Sequence, residues 1–266
     1  MKRTLVALLA VAALALLATG CNKLKARDNL NKGSQAFKSA QYAQAVERFE
    51  EAVRLDPNWP PPRLYLAMAY YMQYIPGAES AENQQMADRA LAQFKKVLEM
   101  DPKNDTATKS IASLFFYEKK WDLAEEWNKK VLDLNPKDKE AYYTLGVIAW
   151  TKWFPADGAA RAKLGMTPEA PGPIKDKKEK EELKEKYLPV VNTGIDNLQK
   201  ALAIDPEYDD AMAYINLLIR ERADLDDTAE QYQKDIDTAQ GWVQKAMETK
   251  RIKASRKPTT TGINAQ

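Results

Sequence analysis

Histidine is absent from all 266 residues, which removes imidazole general bases, serine-histidine nucleophile pairs and the commonest transition-metal ligand. Cysteine occurs once, at Cys21, so no intramolecular disulfide can form. Glycine is scarce, with ten in the chain; none gathers into a phosphate-cradling loop, and calcium-loop and zincin spacings are missing. No cofactor and no metal are therefore expected. An excess of one charge is lacking too, since 40 Lys plus Arg face 38 Asp plus Glu. That balance gives no electrostatic footprint for nucleic acid. What remains is a chain dominated by Ala, Leu, Glu and Lys, a composition that favours helix throughout.

Lys2 and Arg3 precede fourteen small or apolar residues, Leu5 to Ala18. The run is too short for a membrane-crossing helix, which needs roughly 20 apolar residues, and it has the layout of an export signal over residues 1–20. The segment Leu17-Ala18-Thr19-Gly20-Cys21 resembles a lipobox, with Ala18 where leucine is usual. The resemblance implies cleavage before Cys21, acylation of that cysteine and attachment to a membrane, with residues 21–27 as a short tether. Ordinary secretory cleavage, leaving Cys21 as a free thiol, is the alternative. Asn22 stands where an aspartate would favour inner-membrane retention, so a lipid-anchored protein of the cell envelope, at the outer membrane with a periplasmic body, is expected.

Four segments end alike: Ala52-Val53-Arg54-Leu55-Asp56-Pro57, Val97-Leu98-Glu99-Met100-Asp101-Pro102, Val131-Leu132-Asp133-Leu134-Asn135-Pro136 and Ala201-Leu202-Ala203-Ile204-Asp205-Pro206. The prolines lie 45, 34 and 70 residues apart. Each should close one helix and open the next, with the preceding Asp or Asn as cap. Upstream sit small residues, Ala45, Ala90, Ala124 and Gly194, each followed four positions later by Phe49, Phe94, Asn128 or Leu198. First helices carry matching stripes, Ile111, Ala112 and Phe115, then Tyr142, Leu145, Gly146 and Ala149.

This pattern resembles the tetratricopeptide repeat, whose period is about 34 residues. The resemblance implies an all-α solenoid of helical hairpins, coiled as a right-handed superhelix, over residues 28–250. Insertions are expected near residues 75–83 and 151–188, followed by a long C-terminal capping helix and a disordered basic tail over 251–266. In the charge run from Lys175 to Lys186 only Leu183 is uncharged, and it reads as a solvated extension of the following helix. Leu225, Ala229, Tyr232, Ile236, Ala239, Val243 and Ala246 alternate by four and three, a heptad that suits either the capping helix or a self-assembly surface.

In this family the first helix of each repeat lines a concave face. The corresponding positions read Phe37, Tyr71, Phe116 and Trp150, with Leu64, Met68, Tyr143, Val147 and Leu217 beside them. Such a groove would hold an apolar segment of another envelope protein; alternatively these side chains pack inward. Only Lys109 matches the cationic clamp that some members use for acidic tails. Trp153 and Phe154, at the start of the second insertion, are candidate further contacts. The expectation is a non-enzymatic interaction scaffold, with an envelope enzyme using paired carboxylates, or a self-assembling structural protein, as rivals.

Overall fold

The computed structural model describes residues 21–167 and 172–256, so the expected export signal, residues 168–171 of the second insertion and residues 257–266 of the tail lie outside it. The described residues are almost wholly helical. Helix α1 spans 21–38, and then follow α2 (Tyr42–Leu55), α3 (Pro60–Tyr71), α4 (Ala81–Met100), α5 (Asp105–Tyr117), α6 (Trp121–Leu134), α7 (Lys139–Lys163), α8 (Lys177–Ile204) and α9 (Asp209–Arg222). A single 3-10 turn, Ala223–Leu225, leads into α10 (Ala229–Arg256). The chain divides into two compact units, Met1–Trp127 and Asn128–Gln266, with the division inside α6.

Within the first unit successive helices pack in pairs, α2 on α3, α3 on α4 and α4 on α5. The small-large alternation drives this. Ala45, Phe49, Ala52, Ala90, Phe94 and Val97 are all buried, and Phe49 lies so close over Gly33 that a Cβ there would come within 2.5 Å of its ring. A second unit built the same way sets Leu198 of α8 over Gly146 of α7, while Gly194 admits Ala149, whose Cβ would be 2.5 Å from a Cβ at Gly194. Removing the side chain at these crossings is what lets two backbones approach. Asn128, the polar break in the pattern, is nonetheless buried.

The four proline turns work differently from the expected cap. Each begins at the Asp or Asn itself, whose backbone oxygen accepts from the amide three residues on: Trp59 (3.2 Å), Asn104, Asp138 and Tyr208 (3.1 Å each). At three of them the side chain also accepts from the amide two residues on, as Asp205 does from Glu207 at 3.0 Å. The caps of α5 and α7 are the later Asn104 and Asp138, which accept from the amides of Ala107 (3.0 Å) and Ala141 (2.9 Å). The Asp-Pro pair thus makes the turn, and the helix starts three residues beyond the proline.

Two further expectations change. Residues 21–27 are helical, part of α1, where a short tether was expected, and residues 251–256 extend α10 where disorder was expected.

Candidate functional site

The two insertions set the surroundings of the candidate surfaces. Near residues 75–83 the chain loops only as far as Ser80, which caps α4 by accepting from the amide of Asn83 at 3.1 Å. The Asn83 amide then ties the loop down: it accepts from Ile75 N–H (2.7 Å) and donates to the carbonyls of Ile75 (2.9 Å) and Ala78 (2.8 Å). The insertion near 151–188 instead lengthens both helices of one hairpin, α7 to 25 residues and α8 to 28. Its added turns create a new core.

Trp153 is wholly buried in that core, its ring 5.3 Å from Tyr187. It is therefore no surface contact, and Val147, also buried, is none either. About two turns beyond Trp153 along α7 lies Arg161, buried and hydrogen-bonded to Asp157 (3.2 Å) and, through two nitrogens, to Asp224. The backbone N–H of Ile174 donates to the carbonyl of Asp224 at 2.9 Å, tying the start of the approach to α8 to the turn that carries this carboxylate. Burial raises the Asp157 carboxyl to about 6, with Asp224 adding to the rise. Burial likewise raises Glu221 to about 7 despite its hydrogen bond from Trp150. Asp157 and Asp224 are the convergent carboxylate pair an enzyme reading needs, but they face a guanidinium in the interior.

On the second unit the surviving candidates join a larger aromatic face. Phe154 stacks on Trp150 (4.9 Å, 23°), Trp150 meets Tyr214 edge-on (5.8 Å), Tyr214 meets Tyr143 (5.6 Å) and Tyr143 meets Tyr208 (5.0 Å). Phe154 is 49% exposed, and the other four rings are half-buried. Two of their polar groups are taken: Trp150 Nε1 donates to Glu221 (2.9 Å) and the Tyr208 hydroxyl to Glu140 (2.6 Å). Lys139 sits 5.0 Å over the Tyr208 ring. Burial, then Tyr214 and the carboxylates of Asp210 and Glu140, pushes the Tyr143 hydroxyl well up, so it stays a neutral donor at physiological pH. Leu217, on α9, is half-buried. Tyr208 and Tyr214 escaped the sequence reading because they lie outside the repeat's packing stripe; only their spacing from Pro206 and Ile215 could have flagged them.

The first unit holds Phe37, Leu64, Met68, Tyr71, Lys109 and Phe116, all half-buried. They are not gathered into one ring network. Phe37 packs edge-on to Tyr42 (5.3 Å), Tyr71 to Phe94 (6.4 Å), and Phe116 to Tyr117 (6.0 Å) and Trp121 (5.5 Å). Burial raises the Tyr71 hydroxyl to about 12. Lys109, the one clamp-like cation, is bound to Asp105 on its own helix at 2.7 Å. The heptad of the last helix faces inward, with Ala239 and Ala246 buried and Tyr232, Ile236 and Val243 half-buried as α10 packs on α9.

The tetratricopeptide repeat family matches residues 77–139. Photosystem I assembly protein Ycf3 of Synechococcus sp. (strain WH7803) is 28% identical over 120 residues, which is 45% of this chain and 60% of that protein. The chain thus spans less than two thirds of that relative. Among solved structures, MamA aligns over 88% of this chain and 96% of its own at 16% identity and a TM-score of 0.58. The MamA fragment from residue 41 of Desulfovibrio magneticus RS-1 covers 88% and 97% at 21% identity and a TM-score of 0.56. YrrB, described as a tetratricopeptide protein with an unusual peptide-binding site, covers 84% and 90% at 13% identity and a TM-score of 0.51. The match over residues 77–139, the glycine and alanine crossings under Phe49 and Leu198, and the all-helical hairpins of both units together give this chain the tetratricopeptide-type helical-hairpin fold.

Proposed function

We propose that the protein is a lipid-anchored scaffold of the cell envelope that grips a segment of another protein on the aromatic face of its second unit. The observation that carries this is the run of five linked rings ending in exposed Phe154. Rigid aromatic anchors of this kind dominate protein recognition because they bury much area at small entropic cost. The Trp150 and Tyr208 donors are already taken by Glu221 and Glu140, so at those two rings the surface offers ring faces. Peptide binding in the description of YrrB and assembly in that of Ycf3 fit such a role. The envelope location rests on the lipobox-like residues before Cys21.

A photo-crosslinking residue placed at position 154 in living cells is expected to yield discrete adducts, and the same residue at exposed position 196 of α8 none. Equal labelling at both positions, or none at either, ends the scaffold reading of this face. Metabolic labelling with a radioactive fatty acid should mark the wild type and not the Cys21→Ser variant; unlabelled wild type removes the anchor.

A further inference from the structure

Helix α1 carries Lys23, Lys25, Arg27, Lys32 and Lys38 against a single acid, Asp28. Its inner side is committed, with Ala26, Gly33 and Ala36 buried and Gly33 beneath Phe49. Its outer side is not: Leu24 is 70% exposed, and Lys23, Lys25 and Arg27 around it are exposed as well. Cations elsewhere find carboxylates, as Lys139 finds Asp205 (2.6 Å) and Lys184 finds Asp227 (2.6 Å). On the first hairpin Lys32 is held by Asp28 at 2.7 Å and Arg54 by Glu51 at 2.6 Å, the carboxylate that also feels Lys25, whereas Lys23, Arg27, Lys38 and Arg48 make no ion pair among the described residues. Lys32, Lys38 and Arg48, with Gln35, Gln41 and Gln44, also line an open cleft of about 540 Å³ with no acid in its wall.

We infer that the outer face of α1 docks on anionic phospholipid headgroups, with Leu24 entering the interface between its flanking cations. Lys23 to Arg27 rise only about 6 Å along the helix axis. That is less than one screening length of about 8–10 Å in physiological salt, so the three charges act on one patch of surface together. Each cation held against an anionic leaflet strengthens binding about fivefold, which makes three worth about 100-fold. An exposed leucine adds nothing to a phosphate backbone but gains in the apolar edge of a bilayer; this favours a lipid surface over nucleic acid. Cys21, one turn before Leu24, puts the expected acyl attachment on the same end of the helix, yet the charge argument holds whether or not the cysteine is acylated.

The test uses the chain without residues 1–20 and with Cys21→Ser, which keeps every described helix and removes the anchor. Flotation with phosphatidylcholine vesicles containing phosphatidylglycerol should carry it upward, pure phosphatidylcholine should not, and high salt should release it. Lys23→Glu, Lys25→Glu and Arg27→Glu together should lower binding by more than about 100-fold with unchanged helical circular dichroism. Three reversals on α10, at Lys245, Lys250 and Arg251, should leave binding as it was. Equal binding to both vesicle types overturns the inference, as does an equal loss from the α10 reversals. Preferential capture by a DNA duplex in competition reassigns the face to nucleic acid. Fatty-acid labelling of the full chain reports separately on the anchor, so either result can fail without the other.

Discussion

The two interruptions of the repeat are held by opposite chemistry. In the first unit one neutral amide, Asn83, satisfies three backbone groups of a short loop. In the second the added turns of α7 and α8 generate their own interior, which holds Trp153 against Tyr187 and buries Arg161 with Asp157 and Asp224. A small excess of chain needs only hydrogen bonds to lie flat. A large one creates surface that no neighbouring repeat exists to cover, and it must recruit partners from α9 and the turn beyond. Those partners bring charge inside, with more acid than base.

The comparison breaks if the buried charges prove no more sensitive than the amide. Arg161→Met leaves Asp157 and Asp224 facing each other without a counter-charge and is expected to destabilise the second unit by about 3–5 kcal/mol in urea denaturation followed by tryptophan fluorescence. A cost under about 1 kcal/mol would mean the cluster is solvated. Asn83→Ala is expected to cost about 1–3 kcal/mol, with limited proteolysis newly cutting between Met72 and Ser80.

A pH series sharpens the contrast. Glu221 and Asp157 titrate near 7 and 6 in the folded chain, above their ordinary values of 4.5 and 3.8, because burial disfavours their charged forms. Between those limits the folded state keeps protons that the unfolded state has released, so stability rises as pH falls from 8 toward 5 and levels off below. The gain is expected to be about 1–2 kcal/mol, diminished in Glu221→Gln and intact in Asn83→Ala. Asp205 and Asp209 shift the other way, held low by Lys139 and Lys253. Their contribution disappears only below about pH 4, outside that window. A stability that falls steadily from pH 8 to 5 would show that the buried acids do not govern it.

The smallest expected effect lies in the regular turns. Ala40 and Lys119 both adopt φ of 57°, between α1 and α2 and between α5 and α6. Each turn closes with the same pair of bonds, Gln41 N–H to the Ala36 carbonyl and Lys120 N–H to that of Phe115, both 2.9 Å. A side chain is strained there. Ala40→Gly and Lys119→Gly should each stabilise by about 0.5–1 kcal/mol, seen as a small rise in Tm; a fall at either site would deny the shared geometry.

Much of this architecture is legible because it is periodic. Ala45 with Phe49, Ala90 with Phe94 and Gly194 with Leu198 announce helix crossings by size alone, and the structure buries every one of them. The intervals between prolines locate the insertions but not their form: Pro155 and Pro189 stand inside long helices, where a proline ordinarily interrupts the hydrogen-bond ladder. Trp153 and Val147 were misplaced for a related reason: a one-residue step along a helix turns a side chain by about 100°, enough to move it from groove to core. Tyr208, Tyr214 and Glu221 completed the aromatic face from another helix. Contacts between residues about 70 apart, such as Trp150 with Glu221, leave no local trace in composition or spacing.

The far end of α10 carries one last consequence. Lys253 is hydrogen-bonded to Asp209, and Arg256 to Glu207 at 2.7 Å, so the tip of the final helix is fastened to the turn that opens α9. Stacked hairpins ordinarily unravel from a loose outermost helix, like a thread drawn from a hem. Here that thread is stitched down at its tip, and because the stitches are ionic, added salt rather than heat should be what first loosens it.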